Sequence, residues 1–192
     1  MARERKFNQE ELYKTTKELL LKHGYEGFSF TLLAEQLDVS RAALYKYFSN
    51  KEELITDYMI FEMNLLHEKL KAIDSYAHFE EQFNYLITTI FQHKNIHEIL
   101  GMAYYIPVRN NNKVKVNIQK LKNLHLDMHI MLEGFIQLGR EENRLKEDLN
   151  SQIILGFIFQ TIAIPNHFGI PHSDWVTQIK KMISHGIFTS SN

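Results

Sequence analysis

The chain has no cysteine, only 8 glycines and 3 prolines in 192 residues, and a single tryptophan. Without cysteine there is no disulfide framework, no thiolate metal site and no cysteine nucleophile, and a reducing compartment fits. The scarcity of glycine and proline removes the punctuation that many short strands and tight turns need, and no sustained alternation of apolar and polar residues appears. With a net charge of −1, the chain as a whole lacks the basic excess of a general nucleic-acid binder. Long hydrophobic runs are missing as well. The most apolar one, Ile153 to Pro165, is interrupted by Gln160 and Thr161 and is too short to cross a bilayer. The N-terminal MARERKFNQEEL is charged where a secretory signal would be apolar, so a cytoplasmic protein with no membrane partner is expected. A Gly-x-Ser-x-Gly elbow, a phosphate-cradling glycine loop and a dinucleotide fingerprint are also lacking, so neither an enzyme nor a cofactor is expected.

What is present is helical. Hydrophobic residues make up 44% of the chain, enough for a substantial core, and they recur at helical spacing. Asn8 with Glu11 reads as a capping box opening a helix that buries Leu12, Thr16, Leu19 and Leu20 and ends at Gly24. Ser29 caps a short second helix with Phe30, Leu33 and Leu37 on one face, and Ser40 caps a third.

Two short helices joined by a three- or four-residue turn form a helix-turn-helix, whose second helix enters the DNA major groove. Residues 39–54, VSRAALYKYFSNKEEL, fit that second helix. Leu44 and Phe48 face inward with Val39, leaving Arg41, Ala42, Ala43, Tyr45, Lys46 and Tyr47 outside. From Ser40 to Lys51 the charged side chains are Arg41, Lys46 and Lys51, all positive. Two alanines let the backbone approach base edges, and an arginine can grip guanine O6 and N7 together. Tyr45 and Tyr47 offer hydroxyls to phosphate, and Lys51 is expected to meet phosphate at the start of the next helix. The expected DNA-contacting set is Thr31, Ser40, Arg41, Ala42, Ala43, Tyr45, Lys46, Tyr47 and Lys51.

Ser40, Leu44-Tyr45, Tyr47-Phe48, Lys51 and Leu54, preceded by Gly24-Tyr25, Ser29 and Leu33-Ala34, resemble the TetR family of bacterial transcriptional regulators. The resemblance covers roughly residues 8 to 54 and is architectural beyond them. Asp38 stands where glycine is common in the turn, a place aspartate tolerates, and Ala42 and Ala43 replace the frequent glycine and threonine. The resemblance implies an all-α protein: a three-helix helix-turn-helix domain over 1–50, and a larger helical domain over 51–192 that binds an effector and dimerises.

The remaining sequence suits that plan. Residues 51 to 73 read as one long connector helix, and Phe79, Phe83, Leu86, Ile87, Ile90 and Phe91 as the apolar face of another. A short helix near Ile96 to Ile106 stops before Pro107, and Asn110 to Asn112 form a loop. Val114, Ile118, Leu121, His125, Met128, Leu132, Phe135 and Gly139 then step by fours and threes, predicting a single helix about 40 Å long. Residues 153–164 are apolar on nearly all sides and Trp175 to Gly186 carry a final stripe, which implies pairing of the last two helices with their copies in a homodimer through Ile153, Phe157, Thr161, Ile179 and Ile183. Gln160 and Thr161 suit that interface or the polar end of a ligand. With the resemblance, Phe83, Ile87, Phe91, Met102, Tyr105, Met128 and Phe135 are expected to border a pocket for a small hydrophobic effector. His93 with His97 and His125 with His129 have chelating spacing, but spacing implies no third ligand and no metal is expected.

The expected function is a homodimeric regulator, a repressor, bound to a palindromic double-stranded operator and released by a small, largely apolar effector. Two rivals share the fold: a DNA-bound protein acting through protein partners without a small ligand, and a helical ligand-binding protein that no longer reads DNA.

Overall fold

A computed structural model describes residues 7–108 and 111–189. Every regular element among them is helical: α1 (Gln9–Gly27), α2 (Phe30–Gln36), α3 (Arg41–Tyr45), α4 (Lys51–Lys71), α5 (Phe79–Gln92), α6 (Lys94–Gly101), α7 (Asn112–Met131), α8 (Glu133–Glu141), α9 (Ser151–Gln160) and α10 (His172–Ile187). Two compact units result. One is built from residues up to Met63 together with Glu98–Asn123, the other from Asn64–His97 and the chain from Leu124 onward.

In the first unit the capping residues do what their chemistry predicts. Asn8 Oδ1 accepts from the Glu11 amide at 2.7 Å, Ser29 Oγ from Leu32 at 3.3 Å and Ser40 Oγ from Ala43 at 3.2 Å, each satisfying a donor the helix start leaves unpaired. Gly24 breaks α1 at φ 65°, a left-handed angle that suits glycine, and Asp38 takes φ 51° in the turn before α3. Leu20, Leu33, Leu44, Leu54 and Ile55 are fully buried and tie α1 to α4 around one core.

Beneath α3, α4 opens with a reciprocal cap: Asn50 Oδ1 accepts from the Glu53 amide at 2.9 Å, and the Glu53 carboxylate accepts from the Ser49 amide at 3.0 Å. The same carboxylate accepts from Asn111 Nδ2 at 2.7 Å. Burial raises the Glu53 pKa, but these bonds and the nearby Lys113 outweigh it, and the group stays below its ordinary value. Next to it Asn117 Nδ2 donates to Thr56 Oγ1 at 3.0 Å and to Asp57 Oδ1 at 2.7 Å, and Lys113 Nζ donates to Asp57 Oδ2 at 2.7 Å. The first turns of α7 are thereby bonded to α4.

In the second unit the α5 stripe is buried as its spacing predicts. Phe79 stacks on Phe135 of α8 with ring centroids 4.9 Å apart. Phe188, at the end of α10, meets Phe79 and Phe83 edge-on at 5.2 and 5.0 Å. It is held there by a two-sided backbone bridge to Leu145.

Several helices differ from the sequence expectation. The predicted long helix from Val114 to Gly139 breaks at Leu132 (φ −82°, ψ 2°) into α7 and α8. A break at a seam residue leaves the spacing of threes and fours intact, so the sequence pattern does not betray it. The segment near Ile96 to Ile106 starts earlier, at Lys94, and tightens into a 3-10 turn from Met102 to Tyr105. The expected loop begins at Asn110, outside the described residues, but its Asn112 is already the first residue of α7. The segment 153–164 ends as an α-helix at Gln160 and tightens into a 3-10 turn from Thr161 to Ala163.

Candidate nucleic-acid interface

The third helix is only five residues long, and packing fixes its orientation. Leu44 is 0% and Phe48 9% exposed, so both anchor the element to the core. The opposite side then carries Arg41, Ala42, Tyr45, Lys46 and Tyr47 into solvent, with Ala43 half-buried. The two tyrosines are braced rather than loose. The Tyr45 ring meets Phe30 edge-on at 5.0 Å and lies 6.0 Å from the Arg41 guanidinium, while Tyr47 meets Phe7 edge-on at 5.5 Å. Aromatic pairs of this geometry hold side chains in place at low entropic cost. Beside Arg41, an open recess of about 530 Å³ is lined by Thr31, Ala34, Glu35, Asp38, Val39 and Ser40. Thr31 and Ser40 are exposed on its rim. Two cations, four hydroxyl-bearing side chains and two methyl groups on one face match what phosphate and base edges offer.

Lys51 occupies a different place from its neighbours. Its ammonium donates to the carbonyls of Tyr25 at 2.8 Å and Phe28 at 3.1 Å, and lies 4.3 Å above the Tyr25 ring. The Tyr25 hydroxyl in turn donates to Glu52 at 2.8 Å. Burial, then the Glu52 bond and charge, raises the Tyr25 pKa and keeps that proton in place. An ammonium carries three donors, so two engaged here leave one for a phosphate. The sequence pointed to Lys51 as a cation near DNA, but nothing in its local spacing showed that the end of α1 would supply carbonyls. The contacts of Phe7, Asn111, Lys113 and Asn117 are likewise long-range pairings that the sequence reading did not find.

The other expected sites are distributed as follows. Phe83, Ile87, Phe91, Met128 and Phe135 are buried in the second unit. Met102 and Tyr105 belong to the first, where Met102 is half-buried and Tyr105 is 71% exposed. Of the residues expected at a dimer interface, Thr161, Ile179 and Ile183 are already covered within the chain. Ile153 and Phe157 on α9 are exposed by 67% and 51%, and Met182 on α10 by 67%. The His125 and His129 rings lie 4.8 Å apart. Burial lowers both pKa values, followed by the charge of His97 for His125 and of His125 for His129. The nitrogens of His93 are both engaged, with Lys69 Nζ and the Thr89 carbonyl, each at 2.8 Å. Among the described residues no group of three histidine or carboxylate side chains could hold a metal ion, and no helix is long and apolar enough to cross a membrane.

Known proteins share this fold. The chain is 23% identical over 147 residues to the fatty acid metabolism regulator protein of Bacillus subtilis, covering 76% of this chain and 74% of that one. The ketosteroid transcriptional regulator KstR2 of Mycobacterium tuberculosis superposes with a TM-score of 0.74 at 17% identity, covering 96% of this chain and 98% of that one. FadR from Bacillus subtilis, solved in complex with stearoyl-CoA, gives 0.69 at 19% identity, over 94% of this chain and 100% of that one. At such identities these likenesses establish the fold. Residues 12–58, which hold most of α1, all of α2 and α3 and the start of α4, match the family model described as bacterial regulatory proteins of the tetR family.

Proposed function

We propose that this regulator is a homodimer that binds a palindromic operator as a repressor and is released by a small, largely apolar effector of the long-chain acyl class. The observation that carries the DNA-binding part is the α3 face, where Arg41, Tyr45, Lys46 and Tyr47 are exposed over a fully packed Leu44. Dimerisation is supported by Ile153, Phe157 and Met182, large apolar side chains left uncovered on α9 and α10. The acyl class is suggested by two relatives, a fatty acid metabolism regulator and a FadR solved with stearoyl-CoA. An aromatic cluster of Phe79, Phe83, Phe135 and Phe188 supplies apolar surface of the required kind.

The test has two stages. Selection from a random duplex pool should recover an inverted repeat, with half-sites about 34 to 36 Å apart or at a larger spacing fixed by the operator. Stearoyl-CoA should then weaken binding to that duplex, and the duplex should weaken stearoyl-CoA binding by the same factor, since coupling is reciprocal. An inverted repeat whose affinity no acyl-CoA alters would leave DNA reading in place and remove the acyl effector.

A further inference from the structure

His97 on α6 and His125 and His129 on α7 lie in the second unit and take no part in the interface described above. The α7 pair, four residues apart, shares one helix face with ring centroids 4.8 Å apart. The His129 ring also meets Phe159 of α9, which is nearly covered, at 5.8 Å. The charge of His97 is felt at His125. His125 is exposed and His97 and His129 are half-buried, while Met128 between the pair is buried, so the group opens to solvent at the edge of the apolar interior.

Three imidazoles are gathered here without an acid. The only charges acting on the α7 pair are those of other histidines, α9 holds no ionisable residue, and Glu98 and Asp127, the acids nearest in sequence, are exposed. No hydrogen bond offsets the desolvation of either α7 ring. Both rings are therefore neutral near pH 7, and each has an N–H to donate. Such a set fits an anion better than a metal. A ligating histidine normally donates its far nitrogen to a carboxylate or carbonyl, and among the described residues no third ligand joins the pair in metal-binding range. Nitrogens about 2.1 Å from one metal ion lie only about 3.5 Å apart. Nitrogens that each bond a different oxygen of one carboxylate or phosphate at about 2.8 Å lie up to about 7 Å apart, so more widely spread rings can share an oxyanion.

We infer that His97, His125 and His129 receive the negatively charged head of the effector, a carboxylate or phosphate group, with its apolar chain running inward past Phe159. This rests on the acyl-effector reading above and deepens it. Two sources share the chemistry: the carboxylate of a free long-chain acid and the phosphates of an acyl-CoA. An arriving anion favours the charged form of each imidazole, so binding takes up protons and tightens as pH falls from about 8 to 6.

Calorimetry on the full chain at pH 7, in buffers of low and high ionisation enthalpy, compares stearate, stearoyl-CoA and uncharged methyl stearate. Stearate or stearoyl-CoA should bind with proton uptake, and methyl stearate without it. H125Q/H129Q keeps a donor at each position but no titratable ring. It should bind the charged ligand about tenfold more weakly and without proton uptake, while unchanged binding of methyl stearate reports that it is folded. H97Q, altered on a different helix, should weaken the same ligand. A loss seen with stearate assigns the head to a carboxylate, and a loss seen with stearoyl-CoA alone assigns it to phosphate. Charged ligands that bind wild type and H125Q/H129Q alike would overturn the site and leave the acyl effector standing. Unchanged binding in H97Q would overturn the three-ring assembly. A wild type that binds none of the three ligands would overturn the acyl reading and this site with it. Zinc held by the wild type and lost in H125Q/H129Q, with acyl binding unaffected, would assign the pair to a metal instead.

Discussion

Lys51→Met separates two roles that a lysine at this position can play. In the structure its ammonium donates to the carbonyls of Tyr25 and Phe28 and sits over the Tyr25 ring. Methionine keeps most of the stem's apolar contact but removes both bonds, leaving two part-buried carbonyls at the end of α1 unpaired. A hydrogen bond to a charged group contributes about 1.5–3 kcal/mol. The side chain is half-buried and water can reach part of this site, so the low end applies to each bond and the expected loss is at most about 3 kcal/mol in all. Urea unfolding followed by far-UV circular dichroism should show the midpoint fall with an unchanged m-value. A salt titration of DNA binding should show a slope lowered by about one unit per subunit at most, from the third donor. Unaltered unfolding combined with a lowered slope would refute the clamp and leave Lys51 as a phosphate contact alone.

Gly139→Ala places a methyl 2.7 Å from Leu145 Cδ1 and from two carbons of the Phe79 ring, so overpacking between α8 and α5 should cost about 1–3 kcal/mol and lower the thermal midpoint. His125 and His129 have pKa values lowered by burial in the folded chain, so the unfolded chain takes up protons first as pH falls. Their contribution is complete above the ordinary value near 6.5 and is lost as pH drops below it, and a His125→Gln/His129→Gln chain should show a flatter decline in stability between about pH 7 and 5. Phe157→Asp alters a side chain that is 51% exposed, so it should leave helix content intact while sedimentation shows monomer in place of dimer. An unaltered dimer would move the interface away from α9.

The parts of the fold legible in the sequence were those decided locally. Asn8, Ser29 and Ser40 each bond the amide three residues on, and Gly24 and Asp38 sit at the positive φ angles their chemistry permits. The inward Leu44 and Phe48 follow from four-residue spacing, and the exposed α3 face follows from them. What could not be read depends on where distant segments meet. Nothing in the sequence marks Glu53 as the residue around which Asn111 and the Ser49 amide close. Met182, one residue before the buried Ile183, points outward because α10 rests on α5 along the face of Ile179, Ile183 and Ile187. The break at Leu132 is invisible because it leaves the spacing of threes and fours intact.

The central claim is that the exposed face of α3 reads base edges, and Arg41→Ala tests it most directly. On the duplex selected by the wild type, the variant should lose about 1 to 3 kcal/mol and relax preference at one base position in each half-site, while binding to a scrambled duplex changes little. Equal losses on the selected and scrambled duplexes, with base preference unchanged at every position, would contradict it.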